Sequence, residues 1–586
     1  MRSHLLVFPL AVLLLAAPLY GQKSADDRFI EFTEKVWQAR LQDDPLMATR
    51  AGVNKYNDRL PDESLANQKK RHQQNLAWRK ELQQFDRKKL SRKQQTNYAI
   101  FARLLNDSIS ESEFETYLIP ITNRWGFHIA FPTLAKRTPF KTVKDYEDYI
   151  ARLKAFRNYA GQHIKLMRLG IEKGMVLPSV VLKQYREPIE THIVQNPTKS
   201  LLYQPFLKFH ESISAGDQKR LQAAGQAAIR EGVVPGYQDF LQFMEKEYVP
   251  AARGSLGASA LPRGRDYYRF VTRKFTTLDI TPEEVHARGM SEVKRIRQEM
   301  AKVIQKTGFE GDFAGFVKHL RTDPKFYPKT AEELMKEVAY ILKKMDGELP
   351  KLFKTLPRTP YGIRKVPDYI APQTTAAYYM SPPGDGSKGG FYYVNTYNLK
   401  SRPLYNLEAL SLHEAVPGHH LQLALQQELE LPNFRRFASF TVFVEGWALY
   451  SERLGLEVGF YQDPYSDFGR LTYEMWRALR LVVDTGIHYM GWTRQQAIDF
   501  MAENSALSIH NIQAEVDRYI SWPGQALGYK IGELKIRELR KEAEQRLGER
   551  FDVREFHEVV LGGGSMPLAI LEENVKRYIE RERAAK

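Results

Sequence analysis

Apolar positions recur at helical spacing along most of the chain, and strand-like alternation is rare. Val293, Ile296 and Met300 mark one face of a helix. Its start carries Thr281-Pro282-Glu283-Glu284, a capping box with proline in the first helical position. Ser91 with Gln94, Thr330 with Glu333 and Thr493 with Gln496 repeat that start signal. Leu539, Ala543 and Leu547 line another helix face, which stops at Gly548. One segment departs from the helical rhythm. Tyr378-Tyr379 and the run Phe391 to Thr396 are aromatic and β-branched, and the stretch between them is rich in Gly and Pro, which predicts a β-hairpin. The pattern therefore predicts a mainly α protein with a small hairpin or sheet.

A chain of 586 residues is longer than one simple core sustains, since single cores stop growing near ~250–300 residues. The expectation is a large helical, two-lobed body with a central cleft. The Gly/Ala/Ser/Pro-rich stretch from Ala251 to Gly264 suggests a division into an N-terminal half over 22–265 and a C-terminal half over 266–586. At the start, Arg2 precedes an apolar run from Leu5 to Ala17 that ends in small residues near Gly21. It is short for a membrane span and reads as a signal peptide over 1–21, with an uncleaved membrane anchor as the alternative. This implies an exported protein, periplasmic or secreted, with no membrane span in the mature chain.

Composition adds two constraints. There is no cysteine, so a lipid-modified cysteine is excluded and any metal site must be built from His, Asp and Glu. The net charge of +16 raises the question of nucleic acid. However, the basic residues are interleaved with acids, as in Gly532 to Arg546, so they read as a solvated surface and no nucleic-acid partner is expected.

Three of the 14 histidines fall within eight residues, in His413-Glu414-Ala415-Val416-Pro417-Gly418-His419-His420. Leu404, Leu407 and Leu410 before them, and Leu421, Leu425 and Leu429 after them, place this motif on a buried helix interrupted in its middle. In HExxH, histidines four apart share one Zn²⁺ and the Glu stands beside the water. Here the second histidine is six or seven positions on, and residues seven apart in a straight helix are about 10 Å apart along its axis. Pro417 and Gly418 permit a kink or bulge. A two-residue bulge would restore His419 to the four-apart position, with His420 as the alternative ligand. About 25 residues downstream, Glu445 is an acid in an otherwise apolar stretch, costly to bury unless paired or metal-bound. Glu452 is the fallback ligand, and Gly446 would admit close approach of another backbone.

The segments LSLHEAVPGHHLQ and FVEGWALYSERLG, with DRYISWPGQALGYKIG from Asp517 to Gly532, resemble the bacterial family called domain of unknown function 885, assigned to the gluzincin metallopeptidases. The likeness extends from Asp44 to the C-terminal LGGGSMPLAILEENV. It implies one Zn²⁺ held by His413, His419 or His420, and Glu445, with Glu414 as general base. Arg518-Tyr519 with Gln525 also resembles the segment of angiotensin-converting-enzyme-like peptidases that sets a tyrosine against the tetrahedral intermediate. That implies Tyr519 as oxyanion donor, with Arg518 and Tyr529 as weaker candidates. The hairpin ending in Val394-Asn395-Thr396 would be the edge strand that pairs with extended substrate, Asn395 included.

The reading from sequence is thus an exported zinc peptidase acting on short or unfolded peptides. A non-catalytic metal-dependent binding protein and a hydrolase of non-peptide amides or esters are the alternatives. Each residue also has a plainer explanation: a chance pair on a core helix for His413 and Glu414, an acid satisfied by arginine for Glu445, and a packing residue for Tyr519. His128 reads as a hydrogen-bonded core histidine.

Overall fold

The computed structural model describes residues 23–368, 371–382 and 389–584. The segment read as a signal peptide lies outside them. Helices dominate, as the apolar periodicity requires. The capping signals are realised: Thr281 Oγ1 accepts from the Glu284 amide and the Glu284 carboxylate accepts from the Thr281 amide, starting the Pro282–Lys306 helix. Thr493 and Gln496 form the same reciprocal pair. Ser91 and Thr330 cap their helices with the hydroxyl. Gly548 ends the Gly528–Leu547 helix with a positive φ of 55°. No helix among the described residues is long and apolar enough to cross a membrane.

The interior does not divide at residue 265. One large core joins Phe29, Trp37 and Phe101 to Trp447, Ile531 and Ile579. A second joins Phe127, Phe156 and Tyr237 to Ile296, Leu479 and Tyr519. Each core draws on both sequence halves, so the division into 22–265 and 266–586 is not how the chain packs. A Gly/Ala-rich stretch marks a bend in the chain, whereas apolar faces decide which segments meet. The long Pro464–His488 helix, buried along nearly all its length, lies against helix 282–306. Trp476 on it packs against both cores.

The sheet has three strands: β1 Tyr361–Lys365, β2 Ala377–Met380 and β3 Gly390–Val394. The expected hairpin exists, with Ala377 opposite Val394 and Met380 opposite Phe391; its turn lies partly at 383–388, outside the described residues. What the pattern missed is β1, which pairs in parallel with β3 from Tyr361↔Gly390 to Lys365↔Val394. The order is therefore β1-β3-β2, and the strand expected at the edge is central. Tyr-Gly-Ile-Arg-Lys carries too little apolar alternation to announce a strand. The sheet sits beside the histidine motif, as expected: Tyr379 Oη is 2.8 Å from His420 Nδ1, and the Tyr361 ring lies 4.8 Å from the His420 ring.

The second core contains three buried histidines, His128, His163 and His192. His128 is in the core as read, but its Nδ1 makes no hydrogen bond, and neither His163 nitrogen makes one. The Phe127 ring stacks on His163 at 4.3 Å. Burial lowers all three, His128 and His163 to about 3 and His192 to about 4. In the unfolded chain each titrates near ~6.5. Below that pH the unfolded state binds the protons that the folded state refuses, so stability falls as pH drops from about 6.5. Each histidine should cost about 2–3 kcal/mol of stability by pH ~4.5, relative to pH ~7.5. Denaturant titrations across that range should show His163→Phe losing correspondingly less; an unchanged acid sensitivity would refute this account.

Candidate metal centre

The interruption of the histidine helix is what assembles the site. The Leu407–Glu414 helix stops at Ala415, whose φ/ψ of −108°/−102° is not helical. The Val416–Pro417 peptide is cis, and a helix resumes over His419–Glu428. Three contacts fix the detour. The His420 amide donates to Ala415 O at 2.9 Å, and Trp447 Nε1 donates to Pro417 O at 2.9 Å. A Cβ on Gly418 would stand 1.9 Å from His413 O, so only glycine fits there. The break turns the His419 ring to within 4.8 Å of the His413 ring, nearly perpendicular to it. His420 is hydrogen-bonded to Tyr379 on the other side. Of the two alternatives, His419 joins His413 and His420 anchors the sheet.

Glu445, on the Thr441–Leu454 helix, completes the group. Its Oε2 is 3.6 Å from His413 Nε2 and 3.5 Å from His419 Nε2. These separations exceed hydrogen-bond lengths of about 2.7–3.2 Å. They match the roughly 3.4 Å between ligand atoms of a tetrahedral zinc with arms of about 2.1 Å. Among the described residues this is the one group of three such side chains whose ligand atoms lie within 4.8 Å of one another. With no cysteine in the chain, the His₂Glu donor set fits zinc.

Glu452, the fallback ligand, has a different place. Seven residues after Glu445, it stands two helical turns along the same face. Its Oε1 accepts from His413 Nδ1 at 2.8 Å, and Arg477 Nη2 lies 3.4 Å away. His413 thus meets one helix at both nitrogens, and the Glu452 bond leaves Nε2 as the atom available to a metal. Burial opposes charge at both partners. At His413 the carboxylates of Glu445 and Glu452 win and raise it to about 9. At Glu445 the two histidines win and hold it well below the usual carboxylate range.

Glu414 follows His413 and is half-buried. Among the described residues no hydrogen bond occupies its carboxylate, while His413 beside it is bonded at Nδ1.

Gly446 does admit a close backbone. Its Cβ would lie 2.5 Å from Gly532 Cα, and a Cβ on Gly532 would lie 1.9 Å from Val442 O. This contact presses helix 528–547 onto helix 441–454 and brings Tyr529, one turn before Gly532, towards Glu445. Burial raises the Tyr529 hydroxyl, and the Glu445 charge raises it further.

The other sequence candidates are placed elsewhere or otherwise occupied. Tyr519, fully buried on the Ile509–Ser521 helix, donates to Glu515 Oε2 at 3.0 Å and accepts from Trp476 Nε1 and Arg480 Nε, both at 3.0 Å. Its proton is committed to a carboxylate, so in this arrangement it is not presented to an oxyanion. Arg518 donates to Gln525 Oε1 at 2.8 Å and to Glu515 Oε2 at 2.9 Å. Asn395 is fully buried, and its amide donates to the carbonyls of Ala371, Thr374 and Thr375 while its oxygen accepts from the Tyr397 amide. That side chain knots a loop and has no donor left for substrate, because the carbonyls of the 371–375 loop take its amide.

Sequence reasoning missed Arg477 and Arg480. Their signal was present: two arginines three apart in the apolar run from Met475 to Val483 can be buried only against acids or ligands.

The grip on His413 generates a test. Glu452→Gln should keep the fold by circular dichroism and weaken Zn²⁺ affinity about 10–100-fold in chelator competition; unchanged affinity would remove Glu452 from the site.

A family model described as "Bacterial protein of unknown function (DUF885)" matches residues 45–575. No curated protein matches the chain. Two solved structures share its architecture. The putative lipoprotein from Colwellia psychrerythraea is 29% identical, with a TM-score of 0.88 over 95% of this chain and 100% of that one. A putative lipoprotein of unknown function from Shewanella oneidensis, 19% identical, shares the fold with a TM-score of 0.70 over 93% and 99%. With more than nine-tenths of its described length inside the family match, and the HEAVPGHH and VEGWALYSE segments forming one site, the chain belongs to the DUF885 family.

Proposed function

We propose that this protein is an exported zinc metallopeptidase that hydrolyses short or unfolded peptides. The observation that carries the reading is the convergence of His413 Nε2, His419 Nε2 and Glu445 Oε2, with the unengaged carboxylate of Glu414 next in sequence to the first ligand. Three protein ligands leave a tetrahedral ion one position for reactants, as in catalytic rather than structural zinc sites. When bound, the ion supplies Lewis acidity, polarising a carbonyl and acidifying a water molecule.

The residues divide the remaining tasks. Glu414 accepts a proton from the attacking water on its carboxylate oxygen and hands it to the departing amine nitrogen. Glu452 and Arg477 hold His413 in register. Of the two tyrosines, Tyr529 is the better donor to charge developing on the carbonyl oxygen, because Tyr519 is committed to Glu515. Export is supported by the apolar segment at 1–21 and by the two structural relatives named as lipoproteins. This chain itself offers no cysteine for a lipid.

Wild type and Glu414→Gln should each hold about one zinc by elemental analysis. Only wild type should cleave a peptide library, the variant being about 10²–10⁴-fold slower. If zinc-loaded wild type leaves every peptide intact, the peptidase reading falls, and an ester panel and binding assays then decide between the two alternatives.

A further inference from the structure

Beside the candidate metal centre lies a second concentration of chemistry that the proposed mechanism does not use. Arg480 is one helical turn beyond Arg477, about 4.5 Å along helix 464–488 from the arginine that touches Glu452. Its guanidinium lies 4.2 Å from the centre of the Tyr529 ring. Arg480 Nε donates to Tyr519 and Nη2 donates to Glu515 at 3.1 Å. Its Nη1 is buried and has no partner, and the same is true of Arg518 Nε. The Arg480 side chain is only 5% exposed.

The charges here do not balance. Arg124, Arg480 and Arg518 all converge on the single carboxylate of Glu515. Asp484, a further acid nearby, is already engaged by Tyr268 Oη and the Gly524 amide. Buried arginines with unused N–H groups and too few acids call for an anion, and the planar guanidinium fork suits a carboxylate. Two exposed tryptophans, Trp125 and Trp522, 59% and 42% exposed, adjoin Arg124 and Ser521 in sequence. Their neighbours tie the two loops together: Ser521 Oγ donates to Asn123 Oδ1 at 2.7 Å, and Arg124 reaches Glu515.

We propose that Arg480, steadied by Arg518 and Glu515, receives the C-terminal carboxylate of a peptide, so that the enzyme removes residues from the C-terminal end. The depth of Arg480 selects a chain end over an Asp or Glu side chain in mid-peptide, since only an end can reach a buried N–H group without the backbone having to leave again. The inference rests on the peptidase reading for its cleavage step, while the carboxylate subsite can be tested without turnover.

The probe is one short-peptide library made twice, with free C-terminal carboxylates and as C-terminal amides, each with and without acidic side chains. On zinc-loaded Glu414→Gln, calorimetry should show the free acids binding about 10-fold or more tightly than the amides, whatever their side chains. Adding Arg480→Gln should erase that preference with zinc content unchanged. The acid-against-amide comparison keeps Arg480 in place, so it decides even if that variant folds poorly. With wild type, mass spectrometry should find products shortened from the C-terminus and amides largely spared, with the loss in KM more than in kcat. Equal binding of acids and amides, within about twofold, overturns the subsite. So does a preference that follows acidic side chains instead of the terminus. Internal cleavage that ignores amidation overturns the subsite and leaves the peptidase reading standing. Preferential binding of free acids with no cleavage by wild type upholds the subsite and sinks the peptidase reading.

Discussion

The site depends on one imidazole held from both sides by a single helix. His413 meets Glu445 at Nε2 and Glu452 at Nδ1, and the two acids are seven residues apart on helix 441–454. Two turns of helix set that spacing, so the geometry is as rigid as the helix itself. The cost of burying the acids and the imidazole is offset only when they stay together, because each alone would be an uncompensated buried charge. The rest of the centre is arranged around this grip. The break at Ala415–Gly418 brings in His419, Trp447 pins the break through Pro417, and the Gly446–Gly532 contact fixes the helix against its neighbour.

Much of this was legible in the sequence. The capping signals and apolar periodicity gave the helical class, because they report local backbone energetics that tertiary contacts here reinforce. The histidine motif and the lone acid at Glu445 stood out because ionisable residues in apolar runs must find partners. Gly446 was legible for a related reason: a glycine beside such an acid leaves room for backbone.

What could not be read depends on contacts between distant segments. β1 is a strand only because β3 lies beside it. Asn395 looked available to substrate, but three carbonyls from the preceding loop claim its amide. Tyr519 looked like a donor until Trp476 and Arg480, from a distant helix, closed around its hydroxyl beside Glu515, one turn earlier on its own helix. The division at 265 failed because composition describes where a chain bends, whereas burial describes which faces meet.

The two interleaved cores have a consequence for how the chain reaches its folded state. Phe29, Trp37 and Phe101 share a core with Ile531 and Ile579, so this core is complete only after nearly the whole polypeptide has been made. Contacts this far apart in sequence form late, since long loops must close before they reward the chain.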